Sequence, residues 1–290
     1  MVLLLRWLSR WPLRLLHLVG GWVGWLVYAA SPTYRRRLKY NAALAGLPAP
    51  LRRASVAEAG RMVAEAPWLW LRPHGEPLGD KVQWEGAELI AQALDAGKGL
   101  LLLTPHLGCF EICAQGYAER FGGRQPMTAL YRPARQAWLR ELEAYARERP
   151  GLRTAPAALS GVRQMLRALR KGETVGLLPD QVPPQGLGVW APFYGKPAYT
   201  MTLAARLVQQ TGAVALLIWG ERLPQGRGWR LRVRQAPALP AEAADEEALQ
   251  LACASVVNQA MERLIAERPE QYLWGYHRYK QPRGELAAAS

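Results

Sequence analysis

Two short apolar runs constrain this chain more than any other feature: GLLLLTP at 99–105 and TVGLLP at 174–179. Neither alternates polar with apolar, and neither is long enough for a typical helix. Runs of this kind suit inner strands covered on both faces, so helices must flank them on each side. The intervening sequence supplies those helices. Residues 88–94, 111–120, 134–149, 159–169, 202–210 and 249–264 carry helical spacing, the last through Leu249, Cys253, Val256, Ala260 and Leu264. Further strands are expected at 82–86, 127–131 and 213–219. WRLRVR (229–234) alternates strictly, so it should be half exposed. The expectation is an α/β fold with a largely parallel central sheet, flanking helices and an antiparallel edge. A chain of 290 residues is long enough to bury such a core. Three cysteines imply no disulfide framework.

The N-terminus is different. Nine of the 37 basic residues precede the first acidic one, Glu58, so the net charge of +14 is concentrated there. That placement argues against a nucleic-acid face on the main domain. Four of the twelve tryptophans, Trp7, Trp11, Trp22 and Trp25, share the segment. Leu15 to Ala30 is uncharged apart from a titratable His17. As a helix it would be roughly 24 Å long, against a hydrocarbon core of about 30 Å. A cleaved signal peptide fits poorly, because arginines recur through the segment and a basic cluster follows it. A buried core helix is the plainer alternative. We read residues 1–31 as a membrane anchor that spans or lies in the interface, and 32–290 as the main domain. Arg35, Arg36, Arg37 and Lys39 favour a cytoplasmic position for that domain. Gly20 and Gly24 form a GxxxG helix-contact face.

In α/β sheets, chemistry gathers at the C-terminal ends of strands. GLLLLTP runs directly into His106, and Glu111 follows in the first turn of the expected helix, giving H-x4-E. Gly108 permits a sharp turn between them. A carboxylate so placed could orient the imidazole and stabilise its charged form, which suits a general base acting on a hydroxyl. Two other readings have less behind them. His106, Cys109 and Cys113 could face a zinc ion, but no CxxC or HExxH accompanies them. Cys109 could be a nucleophile, but nothing marks a thiolate site. No metal and no cofactor is expected.

The ordered set of motifs carries a resemblance. LLLTPHLGCFE is followed by YRP (131–133), AYAR ending at Arg147, KGE (171–173), PDQ (179–181), VWAPFYGKPA (189–198) and PEQYLWGYHRYK (269–280). The chain thus resembles the late, lauroyl/myristoyl-type lipid A biosynthesis acyltransferases of the lysophospholipid acyltransferase superfamily. The resemblance implies transfer of a fatty acyl group from an acyl carrier protein thioester to a hydroxyl of a lipid A precursor, at the cytoplasmic face of the inner membrane. It implies His106 and Glu111 as the general-base pair, with Arg147 and Asp180 as further catalytic residues. Asp180 would orient Arg147. Arg132, Gln181, Tyr194, His277 and Arg278 would contact substrate, and the 185–196 loop would line an acyl channel or dip into the bilayer. The basic surface would meet acyl carrier protein and anionic lipids. Alternatives are another lipid acceptor, such as a lysophospholipid or glycolipid, acylated from acyl-CoA, or a non-catalytic lipid-binding protein of the same fold.

Overall fold

The computed structural model describes residues 2–131, 136–147 and 149–282. Four helices come first: α1 (Val2–Leu8), α2 (Leu13–Ala30), α3 (Pro32–Leu44) and α4 (Ala49–Leu71). The alternating part follows as β1 (Val82–Glu85), α5 (Ala87–Asp95), β2 (Leu100–Leu103), α6 (Phe110–Phe121), β3 (Met127–Tyr131), α7 (Ala137–Arg147), β4 (Leu152–Pro156), α8 (Leu159–Arg170) and β5 (Thr174–Leu177). After a hairpin of β6 (Gly188–Phe193) and β7 (Lys196–Met201) come α9 (Leu203–Thr211), β8 (Val214–Arg222), β9 (Trp229–Gln235) and α10 (Glu246–Glu267).

Seven strands form the central sheet in the order β1-β9-β8-β2-β5-β3-β4. Every pairing is parallel except β8–β9, so β1 and β9 run against the other five. The reversal lies one strand in from the edge, because β1 adds in parallel outside β9. All four leucines of β2 are buried. Leu101 and Leu103 face one core, with α8, α9 and α10. Leu100 and Leu102 face the other, with α2, α5 and α6. The two-sided cover explains why this strand reads as an unbroken apolar run. By contrast, β9 alternates buried and half-buried positions, as its sequence predicts.

Two elements differ from the sequence reading. Residues 152–156 form an edge strand, β4, where no strand is legible. The 185–196 segment is largely the first half of the β6–β7 hairpin. Its turn is Tyr194–Gly195, with φ of 47° and 71°, the left-handed pair that a two-residue hairpin turn demands. Tyr–Gly is a poor signal for that turn, which explains why the strands were hidden.

Helix α2 lies against α4 along its length. A side chain at Gly24 would strike the carbonyl of Val56, and one at Gly60 would strike the carbonyl of Gly20. The backbones therefore touch where only glycine fits. Leu13 and Leu16 join the core on this side. The opposite face of α2 is open: Leu18, Trp22 and Leu26 are 59%, 73% and 68% exposed. At 18 residues and a mean hydropathy of 1.3, α2 is long and apolar enough to cross a membrane.

Candidate active site

Parallel pairing of β2 with β5 builds the site. Leu103 is in register with Leu177, and the amide of Thr104 continues the ladder by donating to the carbonyl of Leu177 (3.1 Å). Three residues beyond each partner lie His106 and Asp180. The two strands thus deliver an imidazole and a carboxylate to the same place at the C-terminal edge of the sheet. Asp180 is fully buried and His106 is 8% exposed.

The contact between them is close. Nδ1 of His106 lies 2.9 Å from Oδ1 and 3.0 Å from Oδ2 of Asp180. The backbone N–H of His106 donates to Oδ2 (2.9 Å), and the Tyr272 hydroxyl donates to the same oxygen (3.2 Å). A carboxylate at Nδ1 places the proton there and leaves the Nε2 lone pair free. Burial alone would push the pKa of the Asp180 carboxyl up. His106, its backbone N–H and Arg278 outweigh that and hold the carboxyl below its ordinary range. Asp180 therefore stays ionised.

Aromatic rings fix the imidazole plane. Tyr276 stacks on it (centroids 5.3 Å apart, 16° between planes) and Phe110 meets it edge-on at 5.1 Å. The Tyr276 hydroxyl is itself held by the amide of Val182 (3.0 Å). Nε2 faces the exposed Gln181, whose Nε2 is 3.5 Å away, a close approach rather than a formed hydrogen bond. Nε2 thus lies on the side of the exposed Gln181, while Nδ1 is held against the buried Asp180.

The position at Nδ1, expected for Glu111, is held by Asp180. Glu111 lies in the first turn of α6, half-buried. Asp180 reaches the imidazole from a neighbouring strand 74 residues away, a proximity that no local spacing encodes. Its described partners are His106 and Tyr272. Arg147 is the last residue of α7, and its side chain lies outside the described residues, as does the whole of Arg132.

The remaining candidates are spread around the site. Arg278 is 2% exposed, and its guanidinium donates to the Tyr199 carbonyl (2.8 Å), the Thr200 hydroxyl (2.7 Å) and Asn258 Oδ1 (3.1 Å). It reaches Asp180 through its field rather than reaching a ligand at the surface. His277, its neighbour, is exposed; burial, then Arg37 and Lys280, push its imidazole below the ordinary range. Tyr194 forms the hairpin turn. Its amide donates to Glu262 Oε1 (2.7 Å), and its ring packs against Phe193 and Trp274. Cys109 and Cys113 are buried, and burial raises both thiols, Cys113 to about 12. Neither is a thiolate at neutral pH. Among the described residues no group of three His, Cys, Asp or Glu side chains could hold a metal ion.

Tyr272, Tyr276 and Phe110 touch Asp180 or His106, and residue-type reasoning passes over them. All three lie inside the motifs LLLTPHLGCFE and PEQYLWGYHRYK, and that co-occurrence was the available signal.

An imidazole backed by a buried carboxylate beside a strand end of an α/β sheet is an arrangement that suits general-base chemistry. The chain belongs to the bacterial lipid A biosynthesis acyltransferase family, whose sequence profile matches residues 1–281. It is 28% identical over 198 residues to the lipid A biosynthesis lauroyltransferase of Escherichia coli (strain K12), covering 67% of this chain and 60% of the relative. It is 28% identical over 208 residues to the palmitoleoyltransferase of the same organism, covering 69% and 62%. A lipid A biosynthesis acyltransferase of Haemophilus influenzae is 27% identical over 189 residues, or 65% and 56%. The chain thus spans about 60% of the length of the first two of these curated relatives.

Proposed function

We propose that this protein is a membrane-associated O-acyltransferase that moves a fatty acyl group from an acyl carrier protein thioester to a hydroxyl of a lipid A precursor. The observation that carries this reading is the His106–Asp180 contact at adjacent strand ends, in a chain whose family is that of lipid A acyltransferases. Nε2 of His106 takes the proton of the acceptor hydroxyl as its oxygen attacks the thioester carbonyl. Asp180 stabilises the imidazolium through Nδ1–H. The tetrahedral intermediate expels the thiolate, and the imidazolium returns the proton to it. The sulfur is a good leaving group, so the mechanism requires no metal. The intermediate's oxyanion needs donors. Arg132 and Arg147 are our candidates, with the backbone N–H groups that open α6.

Glu111 acts with His106 in this scheme. Its place in the first turn of α6 also puts a negative charge where the helix dipole favours one. Gln181 contacts substrate near Nε2, His277 does so from its exposed position beyond Tyr276, and Tyr194 from the hairpin. Arg278 supports the site electrostatically.

Residues 1–31 are the membrane-contacting segment and 32–290 the acyltransferase domain. The exposed face of α2, with Trp22 and Leu26, supports this, and the arginines of α3 suit anionic headgroups of the cytoplasmic leaflet of the inner membrane. The reading is tested by incubating purified protein with acyl-acyl carrier protein and lipid A precursor and following the acceptor by mass spectrometry. Wild type should add one acyl chain and His106→Ala none. Transfer by both at equal rates refutes the mechanism. Transfer only to a lysophospholipid or from acyl-CoA refutes the substrate assignment.

A further inference from the structure

The turn between His106 and Glu111 is clamped from beneath by a buried ionic cluster. Its centre is Arg222, the last residue of β8, 4% exposed. The guanidinium forks onto Glu65 of α4, with Nε to Oε2 at 3.0 Å and Nη2 to Oε1 at 2.6 Å. Nη1 donates to Glu58 Oε2 at 2.6 Å. Nη2 also donates to the carbonyl of Gly108 at 3.2 Å. Glu65, 1% exposed, accepts in addition from Trp229 Nε1 (3.1 Å) and faces His17 Nε2 of α2 at 3.1 Å.

Gly108 lies midway in the H-x4-E segment. Its φ is +57°, and a side chain there would strike the carbonyl of Gly220. Its N–H donates to the Gln271 carbonyl (3.0 Å), and the next amide, of Cys109, donates to Gly220 (2.8 Å). The Gln271 side chain in turn brackets Arg222, accepting from its N–H (2.8 Å) and donating to its carbonyl (3.0 Å). Arg222 therefore fixes the peptide plane at the pivot between His106 and the start of α6. An ion pair this deep contributes little net stability against an apolar replacement of equal volume. What it supplies is geometry, because a bidentate fork sets direction as well as distance.

We infer that Glu65 and Arg222 are positioning residues that hold the Gly108 turn, and through it the separation and orientation of His106 and Glu111. The inference rests on the reading of His106 as the base. It also gives α2 a direct line to the site, since His17 completes the shell of Glu65.

The test uses the full chain in detergent, with Glu65→Gln and Arg222→Lys. The chain has only four histidines, so imidazole nitrogen NMR resolves His106 directly. In Glu65→Gln we expect the His106 resonances to shift although Glu65 does not touch it. We also expect kcat per folded protein to fall at least about tenfold, with KM for donor and acceptor within about twofold. Arg222→Lys, which keeps the charge and loses the fork, should be impaired in the same way. A folded Glu65→Gln with unchanged His106 resonances and unchanged kcat overturns the inference. If Glu65→Gln does not fold, Arg222→Lys decides by the same two readings. If wild type transfers no acyl group while the His106 resonances still move in the variants, the positioning stands and the functional reading falls.

Discussion

Nδ1 of His106 is 2.9 Å from Oδ1 of Asp180, and both residues lie three positions beyond a pair of leucines in register on β2 and β5. Sheet pairing itself thus brings imidazole and carboxylate together. Asp180→Asn keeps the shape and removes the charge that stabilises the imidazolium. We expect kcat to fall by about two to four orders of magnitude, with the fold intact by circular dichroism. A loss below threefold would remove Asp180 from the mechanism.

Glu111 separates two roles. If it acts with His106 on the acceptor, Glu111→Ala should lose at least about 100-fold in kcat. His106→Ala should abolish transfer. Glu111→Ala should melt close to wild type, since Glu111 is half-buried at a helix start. His106→Ala should stay folded but melt lower, because it leaves the buried Asp180 carboxylate without its imidazole partner. Full activity of either variant in the acyl carrier protein assay contradicts the pairing.

The exposed face of α2 predicts how the protein meets lipid. Trp22→Glu with Leu26→Glu adds two charges where 73% and 68% of each side chain is open and leaves the α4 contact untouched. A charge at the bilayer centre costs about 2.5–3.5 kcal/mol. Sedimentation with anionic vesicles should therefore show at least a tenfold weaker partition, without a change in thermal melting. Unchanged partition would place the lipid contact elsewhere.

The glycine contact of α2 with α4 predicts the opposite pattern. Gly60→Val forces a side chain into the carbonyl of Gly20, and overpacking of this kind costs about 1–3 kcal/mol or more. Chemical denaturation should show that loss. A neutral result would mean that α2 is free to move away from α4.

Acid sensitivity follows from Glu65. Burial pushes its carboxyl up, but Arg222 foremost, with His17, draws it down to about 2 from an ordinary value of 4.5. Because the folded state binds the proton more weakly than the unfolded chain, the stabilisation is complete above about pH 4.5. It is lost as pH falls toward 2. Asp180 adds to the loss in the same direction. The Glu65 contribution to melting temperature should be present in full and constant at pH 6 to 8 and decline below pH 4.5. Glu65→Gln should flatten part of that decline. An equal decline in the variant would assign it to other carboxylates.

The sequence by itself determined the layers and the address of the site. Unbroken leucines at 100–103 require cover on both faces, the alternation of 229–234 gives a half-exposed strand, and His106 follows directly on a strand end. Local chemistry suffices for these, because side-chain burial imposes its period on neighbouring positions. Only the tertiary structure decided which acid meets the imidazole. Glu111 is five residues away and Asp180 is 74, yet register between two strands puts Asp180 at Nδ1. The same holds for Glu65 and Arg222, 157 residues apart in sequence and joined by a two-pronged bond inside the core. Each is a single charged residue with no periodic signature, and its partner is fixed by how sheet and helices stack.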